Sequence, residues 1–338
     1  MLLITAFLFV VLAIVGSAYL AGSGQTDGRT MRTLTVYTTL PAEHAAQIAA
    51  GYAERQQVRV NFVPLAAEDL IARVEQKKAP EASLVLADEA TLARLSADGY
   101  FVPHISEAAD AVPENFKQQD GCYTGVWYDP VVFAVNADYL KGLSDVPDTW
   151  EKLAALTDVR IGMTDLVAAD AASNLLYSLI AEFGEEKAYG ILRALHPKVV
   201  QYTKYLSNPV RQAGMGEADI SVAVASETLR YIADGYPLRI VYPVDGTAYQ
   251  LTGAGVLAAA SAADQQAAGD FLDWLLSDEA QLALRGQGFY FLTTNPATLT
   301  YQTFAGKNLV LFTNPPNFTP AQKKEFLDRW VKYIRFSS

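Results

Sequence analysis

The chain has 338 residues, 51% of them apolar and 19% charged, enough material for two hydrophobic cores rather than one. Its formal charge of −11, with 26 basic residues scattered and never clustered, argues against a nucleic-acid partner and an anionic membrane surface. The single cysteine, Cys122, excludes an intrachain disulfide framework and a cysteine-only zinc site.

Residues 2–21 carry no charged side chain and give way to a polar, Gly- and Ser-containing stretch, so 1–30 read as a signal peptide or an N-terminal anchor plus linker. A run of about 20 apolar residues also suffices to cross a bilayer. Cleavage after Ala18 and an uncleaved tether to the inner membrane both stay open. In either case the body from Met31 onward is expected outside the cytoplasm, periplasmic or extracytoplasmic, with the membrane reached only through this segment or through a partner.

In chain order, 34–37 alternates as a strand and ends at Thr38 and Thr39, and 43–52 reads as a helix. A strand over 58–63, a helix over 68–76, an apolar strand over 83–87 ending at Asp88, and a helix over 89–98 follow. This alternation predicts an α/β fold with a mostly parallel sheet and ligand-binding loops beyond the carboxyl ends of its strands. Residues 123–135 are aromatic and β-branched, interrupted by Asp129 and Pro130, and read as two extended strands leaving a first lobe. The grammar then repeats: a helix within 147–156, a strand over 160–163, a helix over 168–183, a strand over 199–202, a helix over 209–214 and a strand over 220–225. A return crossover is expected at 240–243, turned by Asp245 and Gly246. A strand over 249–257, helices over 263–276 and 279–286, and an amphipathic helix over 319–333 complete the chain. The boundaries this predicts are 31–132 with 246–338 for one lobe and 133–245 for the other, hinged at 131–136 and 240–243.

The strand ends supply the candidate ligand-binding residues. Thr38 and Thr39 read equally as hydrogen-bonding groups for a ligand or as a helix cap. Asp88 caps the helix that follows or pairs with a ligand cation. Asp170 opens the long second-lobe helix, where a carboxylate also suits the positive end of the macrodipole. Trp127, Tyr128, Tyr202, Tyr205 and Tyr242 lie near the crossovers and are either core or a sandwich for a flat or cationic ligand, with Trp127 and Tyr205 favoured as contacts. Ser207 and Asn208 precede Pro209 as donors or caps, and Ser226 and Glu227 occupy another strand-end turn. Cys122 is expected as a buried, inert thiol. His44, His104 and His196 have no partner at metal-ligand spacing, and no nucleophile elbow or phosphate-cradling loop is present, so catalysis, metal binding and cofactor chemistry lack their parts.

Several segments together resemble the type 2 periplasmic binding proteins of ABC importers, in the ferric-iron and organic-solute branch. They are 34–39 (LTVYTT), 125–136 (GVWYDPVVFAVN), 200–204 (VQYTK), 235–243 (GYPLRIVYP) and 271–281 (FLDWLLSDEAQ), and the likeness spans 33–299. The resemblance implies two α/β lobes, each a mixed, mostly parallel sheet flanked by helices, joined by two crossover strands. It also implies closure on a small-molecule ligand without bond-making and delivery to an ABC permease and its ATPase subunit; an enzyme on the same fold, such as a cofactor-precursor synthase or transferase, and a membrane-tethered ligand sensor are the alternatives, and a monomer is expected. Iron-binding members use a His, a Glu and a pair of Tyr; the matching positions here hold Pro41, Ala87 and Ala225–Ser226, which disfavours ferric ion. Phosphate-binding members place small donors where this chain has Ala169, Asp170 and Ala171, and Asp170 disfavours an anion. A cationic, zwitterionic or neutral ligand is the expectation.

Overall fold

The computed structural model describes residues 32–53, 58–76, 81–305 and 309–336. The apolar segment 2–21 therefore lies outside the described residues. Strand β1 (Arg32–Thr38), helix α1 (Ala42–Ala53), β2 (Val58–Pro64), α2 (Ala67–Glu75), β3 (Leu84–Asp88) and α3 (Glu89–Ala97) form the expected alternating run. β2 and β3 flank β1 in parallel on its two sides. A short strand β4 (Phe101–Val102) and helix α4 (Glu107–Ala111) lead into β5 (Thr124–Asn136).

β5 is one continuous strand of 13 buried residues rather than two. Pro130 has no N–H to give, and it sits where β5 exchanges neighbours: Tyr249 lies opposite Pro130, whereas Val224 lies opposite Val131. The break read from Asp129–Pro130 is thus a change of partner within an unbroken strand.

The second layer comprises α5 (Ala137–Lys141), α6 (Trp150–Ala155), β6 (Ile161–Thr164), α7 (Asp170–Phe183), α8 (Glu185–Leu195), β7 (Val199–Thr203), α9 (Ser207–Gly214), β8 (Ile220–Val224), α10 (Ala225–Ala233) and β9 (Leu238–Val241). The chain returns through β10 (Tyr249–Leu257), α11 (Ala262–Leu275), α12 (Asp278–Gly286), β11 (Leu292–Thr293) and α13 (Leu299–Ala305), and α14 (Pro320–Trp330) runs on into a π-helical turn over Val331–Arg335. The strands join in the order β2-β1-β3-β10-β5-β8-β6-β7, with β9 and β11 also on β5 and β4 on β10. β5 is therefore the shared element: its first half pairs with β10 and its second half with β8 and β9.

Two large cores flank this strand. One gathers Val36, Ile48, Leu86, Val126, Phe271 and Leu284; the other gathers Phe133, Trp150, Met163, Leu176, Leu192 and Ile220. The carboxyl-terminal segment packs differently from the expectation that assigned all of 246–338 to the first lobe. Phe312, Phe326, Trp330 and Ile334 lie in the second core, and Tyr189 Oη donates to the Phe326 carbonyl at 2.9 Å. The physical reason is a third crossing of the chain. Thr247 and Leu311 form a parallel bridge, the Thr247 amide donates to the Val310 carbonyl at 3.0 Å, and the Thr247 hydroxyl donates to the Val131 carbonyl at 2.7 Å. Gly246 turns this junction at φ 94°, and a Cβ there would meet the Phe312 ring at 2.9 Å.

Candidate functional site

Strand direction fixes where a site can form. β1, β2 and β3 are parallel; β10 runs against β3, and β5 runs against β10, so β5 leaves the first layer in the sense in which β3 points. β8 runs against β5, and β6 and β7 run with β8. The carboxyl ends at Thr38 and Asp88 therefore face those at Thr164, Thr203 and Val224 across the point where the sheet changes partners. This is the crevice in which open α/β sheets hold ligands.

On the first-lobe side, Thr38 is buried and its hydroxyl accepts the Leu40 amide at 3.0 Å. The Thr39 hydroxyl accepts the Asp88 amide at 3.2 Å, tying two adjacent strand ends together. Both Asp88 oxygens serve the start of α3, accepting the Thr91 amide at 3.0 Å and the Thr91 hydroxyl at 2.9 Å. Glu89 comes next. It is exposed by accessible area yet crowded by protein, as befits a cleft wall, and the crowding together with the Asp88 charge pushes its carboxyl up. Its charge in turn opposes ionisation of Tyr123 and Tyr249, so Glu89 lies beside both phenols.

On the second-lobe side, Asp170 is exposed in the first turn of α7, whose N-cap residue Ala169 supplies no side-chain bond. Tyr205 is 60% exposed, with Lys204 Nζ 5.5 Å from its ring centre. Ser207 is half-buried at the start of α9. Ser226 is occupied: its amide and hydroxyl both donate to Asp129, at 2.9 and 2.5 Å. Its expected role as a ligand contact gives way to a structural one, because the pairing claims both of its donors. Glu227 pairs with Arg230 at 2.5 Å. Both charges act on His44 of α1, across from α10, and His44 is wedged edge-on between Phe289 and Phe291.

Trp127 requires a correction. Its ring is 0% exposed, packs on Phe289 with ring centres 4.8 Å apart, and donates Nε1–H to Gln281 at 3.3 Å, so it is core and cannot stack on a ligand. The neighbouring Tyr128 reaches the hinge instead. It stacks on Phe116 at 5.2 Å, and burial with the nearby Tyr301 and Tyr242 phenols raises its pKa. Tyr242 is 9% exposed, burial pushes its phenol up to about 12, and its buried Oη has no hydrogen-bond partner among the described residues. Asp129 was not singled out from sequence as a site residue; complete burial raises its carboxyl to about 7. Only its position next to Pro130 at the crossover marked it.

No group of three or more His, Cys, Asp or Glu side chains is placed to hold a metal among the described residues. Cys122 is half-buried, and burial with the Asp120 carboxylate pushes its thiol up, away from the reactive thiolate. The strand-end loops hold Asp88, Glu89, Asp170 and Glu227, against Lys204 and the Arg230 already paired to Glu227.

Two α/β lobes that share one long strand, with strand-end loops facing each other across it, define a two-lobed α/β fold with an interlobe crevice. The chain belongs to the bacterial extracellular solute-binding proteins, whose family profile matches residues 34–290. It is 29% identical over 336 residues to an uncharacterized protein of Haemophilus influenzae, covering 94% of each chain. In fold it is similar to the periplasmic binding protein AfuA of Actinobacillus pleuropneumoniae with fructose-6-phosphate bound, at TM-score 0.68 and 23% identity over 91% of this chain and 100% of that one. It is also similar to the Bordetella ferric binding protein (TM-score 0.70, 20% identity, 88% and 98% covered) and to iron-bound HitA of Pseudomonas aeruginosa (TM-score 0.68, 19%, 89% and 99%). Family membership places the protein's working body outside the cytoplasm as a solute binder. Among the described residues no helix is long and apolar enough to cross a membrane.

Proposed function

We propose that this protein is the extracytoplasmic substrate-binding component of an ABC importer, a monomer that captures a small polar solute by hinge closure and hands it to a membrane permease. The observation that carries this reading is the sharing of β5 between two cores, with Thr38, Thr39 and Asp88 on one bank and Asp170, Tyr205 and Ser207 on the other. A solute that touches both banks binds the closed form more tightly than the open one and so shifts the population. Bending falls at 131–136 and 240–243. Among the described residues, one lobe draws on 32–132 and 246–310 and the other on 133–245 and 311–336.

AfuA is described with fructose-6-phosphate bound and HitA with iron bound. The matching positions favour neither ligand: Pro41, Ala87 and Ala225 bring no metal-donor side chain, and Asp170 sets a negative charge in the first turn of α7. A cationic, zwitterionic or neutral solute fits. Thermal-shift screening of the body from residue 30 onward, followed by small-angle scattering with each hit, tests the reading. A solute at 100 times its Kd stabilises by about 2.7 kcal/mol, and a true ligand also contracts the particle. A rigid particle that no solute shifts or contracts overturns the proposal, as does product formation from a bound solute.

A further inference from the structure

A groove of about 390 Å3 runs between α8 and the carboxyl-terminal helix, and none of the crevice side chains lines it. That volume lies within the range of about 300–1,000 Å3 usual for small-molecule sites. Its floor is buried: Tyr189 is 7% exposed and Ile334 1%. Arg329 lies 4.9 Å from the Tyr189 ring centre and pairs with Glu185, so its guanidinium is already engaged. Tyr333, 55% exposed, forms the facing rim. Tyr333 and Ile334 belong to the π-helical turn, in which the Phe336 amide donates to the Val331 carbonyl at 3.2 Å. Such widened turns are rare and recur at functional sites.

Charge along α8 is ordered. Glu185 and Glu186 stand in its first turn, and Arg193 follows two turns later, about 10 Å along the axis. Glu325 of α14 adds its charge at the acidic end, where it acts on Arg329 and Tyr189 together with Glu185. Neither Glu186 nor Arg193 has an ion pair or hydrogen bond among the described residues, and they stand too far apart on the helix to meet each other. Gly190 comes between them. Glycine weakens a helix interior, yet a Cβ here would meet no atom within 4 Å, so packing does not require it, and the rim stays low.

We infer that this groove is an accessory site for a short zwitterion of tripeptide length, with its ammonium at Glu186, its carboxylate on Arg193 and an apolar middle against Tyr333. A guanidinium fork matches a carboxylate in two parallel hydrogen bonds. An extended chain advances about 3.3–3.6 Å per residue, so three residues span the about 10 Å between the two charges. A single amino acid carries its charges too close together to reach both. A plain anion gains Arg193 but meets the acidic end, and a plain cation meets the reverse. Ion pairs this exposed contribute little each, so binding is weak, needs both ends, and falls as salt is added. The inference is independent of solute capture in the crevice, because the groove lies on α8 and the final helix alone.

The test follows the Ile334 methyl resonances of isoleucine-labelled protein at low salt. The probes are the tripeptide Gly-Phe-Gly, free phenylalanine, and the tripeptide blocked by an acetyl group and an amide. Gly-Phe-Gly is expected to shift Ile334 saturably. The blocked peptide binds about tenfold more weakly, the product of two lost ion pairs of about threefold each, and phenylalanine is weakened similarly. Arg193→Gln and Glu186→Gln, both on the exposed side of α8, each weaken Gly-Phe-Gly about threefold and leave the blocked peptide unchanged. An unmoved Ile334 methyl, equal affinity for the free and blocked peptides, or unchanged Gly-Phe-Gly affinity in both variants overturns the inference. Gly-Phe-Gly that contracts the particle and ignores both substitutions is a crevice solute, which overturns this inference and leaves the capture reading standing. Groove binding in a protein that closes on no solute sinks the capture reading and leaves this one.

Discussion

Asp129 holds Ser226 twice, accepting the Ser226 amide at 2.9 Å and its hydroxyl at 2.5 Å, so the shared strand β5 grips the first turn of α10. The two residues are 97 positions apart, one just before the change of partner strand and the other at the start of the helix that faces His44. A fully buried carboxyl with two donors is a pin for the hinge. Any bending of β5 near Pro130 must carry the start of α10 with it or break these bonds.

That pin makes stability depend on pH in a direction unusual for a carboxylate. Burial raises the Asp129 carboxyl to about 7, against the bonds from Ser226, which lower it. The folded state therefore holds a proton that the unfolded chain, near 3.9, releases. The stabilisation tied to that proton is fully present below about pH 4 and is lost as pH rises to about 7, at up to about 1.4 kcal/mol per pH unit. Asp129→Asn removes the titration. Urea midpoints at pH 4.5, 6 and 7.5 should show wild type losing stability relative to the variant across this range, and the difference isolates Asp129 from the other carboxylates. A difference that does not vary with pH would contradict it.

Tyr242 buries a phenol oxygen that nothing among the described residues contacts by hydrogen bond. An unpartnered buried polar group costs about 1–3 kcal/mol. Tyr242→Phe keeps the ring and deletes the orphan, so the solute-free protein is expected to gain about 1 kcal/mol, read from the urea midpoint at constant slope. A loss of that size would mean that the hydroxyl is satisfied in solution, by water or by a moving Tyr128 or Tyr301.

Asp170 bears on ligand charge. It lies exposed in the first turn of a 14-residue helix with no side-chain cap, where the amides would otherwise attract an anion. Asp170→Ser removes the repulsion and is expected to raise affinity for inorganic phosphate by about tenfold, within the range of about 0.3–2 kcal/mol for a charge at a helix end. Thermal shift against phosphate concentration compares the two proteins. Equal midpoints would show that Asp170 does not govern the ligand's charge.

The first lobe's alternating units were legible in sequence because their signals are local: Asp88 ends β3 and caps α3 within four residues. The strand ends at Thr38 and Asp88 followed from the same grammar. Trp127 was misread because an aromatic residue on a crossover strand has one sequence signature whether it faces core or cleft; burial against Phe289 is a long-range fact. Ser226 looked available because its partner lies on another strand. Helices α8 and α10 went unassigned, although Glu185 and Glu186 in the first turn of α8 are a start signal. An amphipathic period shows that a helix buries a face, but not against which lobe, and that is how α14 came to be assigned to the wrong one.

The placement of α14 gives the last expectation. Trp330 is 0% exposed, meets the Tyr202 ring edge-on at 5.6 Å, and sits in the second core with Phe326 and Ile334. Around it Arg329 pairs with Glu185, and Arg335 pairs with Asp165 at 3.1 Å while lying 4.4 Å from the Tyr202 ring centre. The final helix is thus a strap from the hinge crossing at Thr247 and Leu311 onto α8 and β7. Trp330→Ala removes the largest side chain from this contact and should cost about 3–5 kcal/mol. Hydrogen exchange locates the loss: amides of β6, β7 and α8 should lose protection, while those of β1, β3 and α11 keep theirs. If the first-lobe amides open instead, the strap belongs to the other lobe and the third crossing must be redrawn.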